Sequence, residues 1–310
     1  MTDMHRRTFM ATLLGAGTLP AAPALGRSQG FLRRHGLPAG VQLYAVDEMV
    51  RSDLTGTLSR LSAIGFRCIE LAGLHGHTPA KLREAADVAG LRITGIHLGD
   101  ALLGSTRHDA ELLAAQLDVL GARDVVLPMF IFPRDIARAP EEPFADYLHR
   151  AVRAKGADLW RRTADLLNDR GAALAPYGIR LAYHNHNVEF EPVEGTTGWD
   201  ILQERIDPAL ADFEIDLGWV AAAGIDPVDF ISKYSGRVRQ VHVKDIKAST
   251  APNFGFRQDA AEVGAGMIDW ERLLPAAYEA GARQFYVEQE PPFVTDRFVA
   301  LAKSFAFLAN

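Results

Sequence analysis

Short apolar runs, several of them rich in β-branched residues, alternate with longer segments of helical periodicity along most of the chain. The short runs predict strands at 41–46, 67–71, 92–98, 124–129, 179–186, 212–216, 238–244 and 285–289. The longer segments predict helices at 54–64, 79–89, 109–120, 157–175, 198–205, 227–234, 270–280 and 295–308. Thr295 is the expected N-cap of the last helix. Several helices end at a glycine just before the next strand, where a C-cap is expected.

This alternation of strand and helix predicts a single α/β domain, a (β/α)8 TIM barrel. A chain of 310 residues, 48% of them hydrophobic, is long enough to bury the core that such a barrel needs. A doubly wound open sheet is the alternative, but no Gly-x-Gly-x-x-Gly follows the first strand. Segments 130–156 and 249–266 are too long for tight connections. We expect both to lie over the catalytic end of the barrel.

The first 26 residues follow another pattern. Arg6-Arg7 precedes an apolar, small-residue run at 11–19 and further small residues at 20–26. This arrangement predicts a twin-arginine signal peptide at 1–26, followed by one catalytic domain at 27–310. The apolar run is too short to span a bilayer, and a disordered basic tail is the alternative. We therefore expect a periplasmic mature protein without a membrane partner after cleavage.

Net charge and cysteine content restrict which binding partners and which covalent cross-links the chain can have. The net charge is −6, which does not favour binding to nucleic acid or to an anionic membrane. The single cysteine, Cys68, rules out a disulfide within the chain. Nothing in the sequence decides the oligomeric state, so a homo-oligomer stays open.

The chemistry begins with His184 and His186, which are separated by one residue at the end of the fifth predicted strand. Alternation along a strand puts both imidazoles on one face, where they could bind a metal or transfer a proton. The same alternation places Asp216, His242 and Glu288 at the corresponding ends of the next three strands. Mixed nitrogen and oxygen ligands suit Mn, Co, Zn or Fe(II) better than Mg. Taken singly, each residue could instead be a cap, a core histidine or half of a salt bridge.

Several motifs carry a resemblance to a known family. They are Gly40–Tyr44, Gly65–Gly73, Gly95–His97, Tyr183–Phe190, Asp216–Trp219, Gly236–Val238, His242–Asp245 and Val287–Gln289. In these the chain resembles the xylose isomerase-like TIM-barrel superfamily, in the sugar phosphate isomerase/epimerase group. The resemblance implies one divalent metal ion held by His184, Asp216, His242 and Glu288. Whether His184 or His186 is the ligand stays open.

Two departures from the family pattern affect the expected reaction. His184 stands where the epimerases have a second catalytic glutamate, and Trp219 stands where many have a histidine. The His-x-His subgroup resembles inosose dehydratases and enzymes of 3-keto sugars. We expect an isomerase or epimerase that abstracts a proton next to a metal-bound carbonyl, with a lyase acting on a keto sugar or 3-keto-glycoside as the alternative. A non-catalytic periplasmic sugar-binding barrel is a further alternative, and the acidic balance disfavours an endonuclease IV-like hydrolase.

The remaining predictions assign roles around a small carbohydrate substrate. Glu288 or His186 is the candidate base, and Lys244 is placed to stabilise negative charge, unless it forms a salt bridge with Asp245 or Glu288. We predict that the substrate is bound by four further residues, namely His97, Glu70, Trp219 and Asn187. His97 and Glu70 could equally support the barrel wall. Trp219 could stack on a sugar ring, and Asn187, with Glu189, is expected to orient the two histidines.

Overall fold

The computed structural model describes residues 30–310, so the signal peptide predicted for 1–26 lies outside the described residues. Eight parallel strands close into a barrel in chain order, and β8 pairs with β1. The strands are β1 (Ala39–Gln42), β2 (Cys68–Ala72), β3 (Arg92–His97), β4 (Asp124–Leu127), β5 (Arg180–His184), β6 (Ala211–Asp216), β7 (Val238–Val243) and β8 (Gln284–Val287). The predicted TIM barrel is confirmed.

Helices surround the barrel and shape its two ends. They are α1 (Phe31–Arg34), α2 (Asp47–Ser52), α3 (Leu54–Ile64), α4 (Pro79–Ala89), α5 (Asp100–Leu103), α6 (Arg107–Leu120), α7 (Phe144–Lys155), α8 (Ala157–Leu174), α9 (Gly198–Arg205), α10 (Leu217–Ala222), α11 (Pro227–Ile231), α12 (Trp270–Glu279) and α13 (Arg297–Ala309). Gly90 and Gly121 end α4 and α6 with φ of 68° and 74°, a backbone conformation that favours glycine. Among residues 30–310, no helix is both long and apolar enough to cross a membrane.

Two helix starts differ from the prediction because of their caps. Thr106 accepts a hydrogen bond from the Asp109 backbone N–H, and the Asp109 side chain accepts one from the Thr106 N–H. This capping box begins α6 two residues earlier than predicted. Thr295 was wrong as the N-cap of the last helix. Asp296 holds that position and accepts hydrogen bonds from the backbone N–H groups of residues 298 and 299.

Six of the eight strands end one to four residues sooner than predicted, and the ends of β1 and β5 affect the candidate site. β1 stops at Gln42 because that side chain accepts a hydrogen bond from the Tyr44 N–H, and Leu43–Val46 form a 3-10 turn. β5 stops at His184, so His186 lies in the loop that follows. The two imidazoles nevertheless stay close, with ring centroids 5.1 Å apart.

The inside of the barrel is polar, whereas the layer between strands and helices is apolar. Gln240 on β7 donates to Glu70 on β2 at 2.9 Å and to Glu214 on β6 at 2.6 Å. Gln42 on β1 donates to Glu70 at 2.8 Å. Bonds between β2 and β7, which are not neighbours, must cross the barrel interior. A buried polar layer therefore lies directly beneath the strand ends.

The two long segments contain ordered structure. Segment 130–156 includes α7, and several of its residues line the pocket described below. In segment 249–266, Ala260–Ala261 pairs antiparallel with Asp245–Ile246. Both segments follow the carboxyl ends of barrel strands, as predicted.

Candidate metal centre

Four side chains meet at the carboxyl ends of β5 to β8. His242 Nδ1 lies 3.0 Å from Glu288 Oε2 and 3.7 Å from Asp216 Oδ2. His184 Nε2 lies 3.9 Å from Asp216 Oδ2. All four residues are buried. The structure thus brings the four predicted metal ligands together, which we call the upper cluster.

The two imidazoles are held from below by carboxylates in the polar layer. His184 Nδ1 lies 2.9 Å from Glu214 Oε2, and His242 Nε2 lies 2.8 Å from Glu70 Oε2. A ring nitrogen that donates to a carboxylate leaves the other nitrogen free to accept. The bond to Glu214 favours the tautomer of His184 with the lone pair of Nε2 directed at the upper cluster. His242 differs, because both of its ring nitrogens face carboxylates: burial lowers the pKa of His242, but Glu214 and Glu288 outweigh burial and hold that pKa well above its usual range. His242 Nδ1 would therefore become a ligand atom on exchanging its proton for an ion.

The donor set fits a divalent ion. Asp216 Oδ1 accepts the Trp219 N–H at 2.9 Å and caps α10, so this side chain is both a cap and a member of the cluster. Asp216 Oδ2 is buried and has no hydrogen-bond partner of good geometry in the described part of the chain. Two nitrogens and two carboxylate oxygens are ligands that Zn, Mn and Co accept. His184, Asp216, His242 and Glu288 could therefore hold one such ion.

Lys244 places a positive charge beside the carboxylates of the upper cluster. Its Nζ lies 2.8 Å from Asp216 Oδ2, 2.7 Å from Glu288 Oε2 and 2.6 Å from Glu290 Oε1. Burial lowers the pKa of Lys244, but the three carboxylates outweigh burial and hold that pKa well above its usual range. Of the two predicted salt bridges, the one to Glu288 is present. Asp245 instead accepts backbone N–H groups of the second long segment and the Trp270 indole N–H.

His97 lies between the upper cluster and the polar layer. Its Nε2 is 2.7 Å from Glu214 Oε2 and 3.2 Å from Glu70 Oε2. Burial lowers the pKa of His97, whereas Glu70 and Glu214 raise it, to a net value of about 10. His97 is therefore a cation that neutralises the layer, and it also lines the pocket. Glu70 does not line the pocket and supports His242 instead.

Glu214 is the central residue that sequence reasoning left out. It accepts hydrogen bonds from His184, His97 and Gln240, and burial raises its pKa while the charges of His242 and His97 lower it well below its usual range. A signal for it existed, because Glu214 is two residues before Asp216 on one strand and so shares its face. Glu290, two residues after Glu288 and beyond the end of β8, was also missed.

A cavity of about 520 Å³ opens above the upper cluster. Its polar lining comes from Tyr44, His97, His184, His186, Glu288 and Glu290. Trp219, the predicted stacking surface, also lines it and is buried. The pKa of Glu290 is raised by burial and by Glu288, against the opposing charge of Lys244. The pocket therefore contains two histidines, His97 and His186, and one acid, Glu290, beside the candidate metal ligands.

His186 is free to accept a proton. Its Nδ1 is buried without a hydrogen-bond partner among residues 30–310, and its ring lies between Trp219 and Phe256, at centroid distances of 5.5 and 5.3 Å. Burial, followed by the nearby charges of His184 and Lys244, holds the pKa of His186 well below its usual range. The imidazole is therefore neutral and can act as a base.

Asn187 and Glu189 do not contact the two imidazole rings, contrary to the expectation. Asn187 donates to the Asn253 carbonyl at 2.8 Å and accepts the Phe256 N–H at 3.1 Å, so it fixes the loop that carries Phe256. Glu189 accepts the Tyr183 hydroxyl at 2.7 Å and the His186 backbone N–H at 2.9 Å. Asn187 is not among the pocket-lining residues, so its place is structural support for the pocket wall.

Curated relatives share sequence with this chain. An inosose dehydratase of Geobacillus kaustophilus is 26% identical over 200 residues, which is 61% of this chain and 61% of that protein. An inosose dehydratase of Clostridium perfringens is 25% identical over 231 residues, or 70% of this chain and 75% of that protein. The match thus spans about three fifths of the first relative's length.

Solved structures show the same fold. A sugar phosphate isomerase/epimerase from Parabacteroides distasonis superposes with a TM-score of 0.66 at 22% identity, covering 94% of this chain and 98% of that one. The IolI protein with a bound zinc atom gives a TM-score of 0.58 at 14% identity, covering 87% and 96%. The family model described as xylose isomerase-like TIM barrel matches residues 58–309. The chain therefore belongs to the xylose isomerase-like TIM barrel family.

Proposed function

We propose that this protein is a divalent-metal-dependent lyase that removes a proton beside the carbonyl of a keto sugar or keto cyclitol and then expels a substituent from the next carbon. The observation that carries the proposal is the upper cluster at the base of the pocket. Ligand atoms of Asp216, His242 and Glu288 lie within 4.8 Å of one another, and His184 Nε2 lies 3.9 Å from Asp216 Oδ2. Glu214 and Glu70 orient the two imidazoles. The inosose dehydratase relatives support this lyase alternative better than the isomerase or epimerase expectation.

The proposed ligands are His184, Asp216, His242 and Glu288. When bound, the ion supplies Lewis acidity, which polarises a carbonyl and stabilises the negative charge that develops on it. Zinc in a structural neighbour supports a metal of this type without identifying the one used here.

The proton transfers are assigned to residues of the pocket. His186 is neutral and faces the cavity, so it takes the proton from the carbon beside the carbonyl. Glu288 is the alternative base. The bond to oxygen on the next carbon then breaks, and its electron pair leaves with the oxygen. Glu290, whose pKa is raised, is placed to give that oxygen a proton. Lys244 holds Glu290 at 2.6 Å and offsets the negative charge.

The position of His184 favours elimination over epimerisation. Epimerisation by two opposed carboxylates requires an acid or base on each side of the substrate carbon. His184 replaces one of these carboxylates, and its Nδ1 is engaged by Glu214. Because Nε2 is directed at the upper cluster, this ring has no nitrogen left for a second proton transfer.

Incubation in D2O with a keto inositol and with 3-keto glucosides, in the presence of Mn or Zn, tests the proposal. We expect an unsaturated ketone, seen by its ultraviolet absorbance, and its loss on chelation and in His186→Ala. Glu204→Gln, an exposed change on α9, is the matched control. Deuterium exchange without elimination would instead support the isomerase or epimerase alternative. Binding without exchange or elimination would leave a sugar-binding barrel and overturn the proposal.

We also propose that the protein is exported to the periplasm by the twin-arginine route, on the strength of Arg6-Arg7 and the segment after them. Fractionation of cells that produce the chain and its double variant Arg6→Lys/Arg7→Lys tests this. Export of the variant at the level of the unmodified chain would overturn it.

A further inference from the structure

The pocket changes character between its inner and outer parts. Its inner histidines and acids are buried or nearly so, whereas Leu102, Tyr44 and Phe144 are 65%, 53% and 50% exposed. These three residues therefore mark the rim, where Tyr44 is the polar member. Met129, Ala145 and Leu148 join Leu102 and Phe144 in an apolar wall that offers no side-chain hydrogen bond. We call these five residues the apolar wall.

The apolar wall is held in place by contacts between separate segments. Arg134 in the first long segment donates two hydrogen bonds to Asp100, at 2.6 and 2.8 Å, and so joins that segment to α5, which carries Leu102. The rings of Phe132 and Phe144 stack with centroids 6.3 Å apart. Several apolar side chains that line one pocket together, rather than a single exposed one, are typical of a ligand-binding groove. These contacts fix the position of the apolar wall.

The size of the cavity exceeds what the inner site needs. Its 520 Å³ lies in the range of pockets that take drug-sized ligands. A sugar ring bound at the polar inner end would leave the outer part unfilled. A second sugar ring would suit that part poorly, because Tyr44 offers a hydroxyl at the rim but the sugar hydroxyl groups that face the apolar wall would lose water without gaining partners.

We propose that the apolar wall is an aglycone subsite, and that the substrate is a keto glycoside whose aglycone is apolar and preferably aromatic. This inference rests on the proposed function and names its substrate class. In a 3-keto glycoside the proton leaves C2, its electron pair forms the C1–C2 double bond, and the C1–O bond breaks. The aglycone departs with that oxygen and one proton, so the products are an unsaturated keto sugar and an alcohol or phenol, and no further reactant is required.

Binding of two unreactive probes, phenyl and methyl β-glucoside, tests the subsite without any turnover. Isothermal titration of the full protein should show the phenyl glucoside at least about tenfold tighter. Phe144→Ser should reduce that preference to about threefold and leave methyl glucoside binding unchanged. Phe307→Ser is the matched control, since Phe307 is 40% exposed and lines a separate hollow.

Equal affinity for the two glucosides, absence of binding by both, or an equal effect of the two phenylalanine changes overturns the subsite. Its failure is distinguishable from failure of the proposed function. If the aryl preference is present but no keto glycoside loses its C2 proton in D2O, the lyase proposal fails and the subsite stands. If keto inositol is converted while the aryl preference is absent, the lyase stands and the subsite fails.

Discussion

Replacement of Glu214 by glutamine tests whether the polar layer tunes the candidate metal centre. Glu214 is not one of the four proposed metal ligands, but its Oε2 accepts hydrogen bonds from His184 Nδ1 at 2.9 Å and from His97 Nε2 at 2.7 Å. Glutamine keeps the shape and removes the charge. One side-chain oxygen becomes an amide that cannot accept a hydrogen bond, while Gln240, at 2.6 Å from Oε1, still requires an acceptor.

The expected loss follows from these bonds. A hydrogen bond to a charged group contributes about 1.5–3 kcal/mol. Removal of a carboxylate that orients a metal-binding histidine typically lowers metal affinity about 10- to 100-fold. That factor equals about 1.4–2.8 kcal/mol, so the two estimates agree. We therefore expect Zn or Mn affinity in Glu214→Gln to fall by this factor.

Competition titration with a chelating dye measures that affinity without turnover. Glu204→Gln, on the exposed side of α9, is the control and should bind as the unmodified protein does. Circular dichroism must show that the variant is folded. If it is not, Glu70→Gln offers the same measurement for His242, whose Nε2 lies 2.8 Å from Glu70. Folded Glu214→Gln with affinity within about twofold of the unmodified protein would refute the assigned role.

Three further changes test separate parts of the structure. Lys244→Met removes the ammonium group from Asp216, Glu288 and Glu290 and leaves His242 as the cation beside Glu288, so metal-free stability should fall by about 3–5 kcal/mol. Added Zn should then raise the melting temperature more than in the unmodified protein, and equal shifts would contradict this. His97 has a pKa raised to about 10, so its contribution to the free energy of unfolding should be complete below about pH 6.5 and be lost as pH rises through 10. Urea unfolding should therefore show a smaller fall in this free energy between pH 7 and pH 10 for His97→Gln than for the unmodified protein. Asp296→Ala should cost about 1 kcal/mol in thermal melts and Thr295→Ala much less, and the reverse order would contradict the cap.

The barrel and most helices were predictable because apolar periodicity and C-terminal glycines report directly on burial and chain reversal. The upper cluster was predictable because alternation along β6 to β8 places its members at one end. Glu214 carries the same signal, but a carboxylate that supports another residue looks the same in sequence as one that binds a ligand. Glu290 lies beyond the end of β8, where alternation gives no information.

Other features depend on contacts distant in sequence. The apolar wall requires Arg134 to find Asp100, and Asn187 acts through a loop 66 residues later. The early end of β5 follows from the turn at His186, whose backbone N–H is bound by Glu189. Periodicity describes one segment at a time and contains no information on such pairings.

The position of Lys244 bears on whether the protein folds before or after it binds a metal ion. Its ammonium group already neutralises Asp216 and Glu288, and Glu290 lies close enough to retain that group when an ion takes its place. The acidic residues of the cluster therefore have a counter-ion within the chain, so we expect the barrel to fold before any metal arrives. Acquisition of the ion becomes a separate step, governed by which metals the compartment offers to an already finished site.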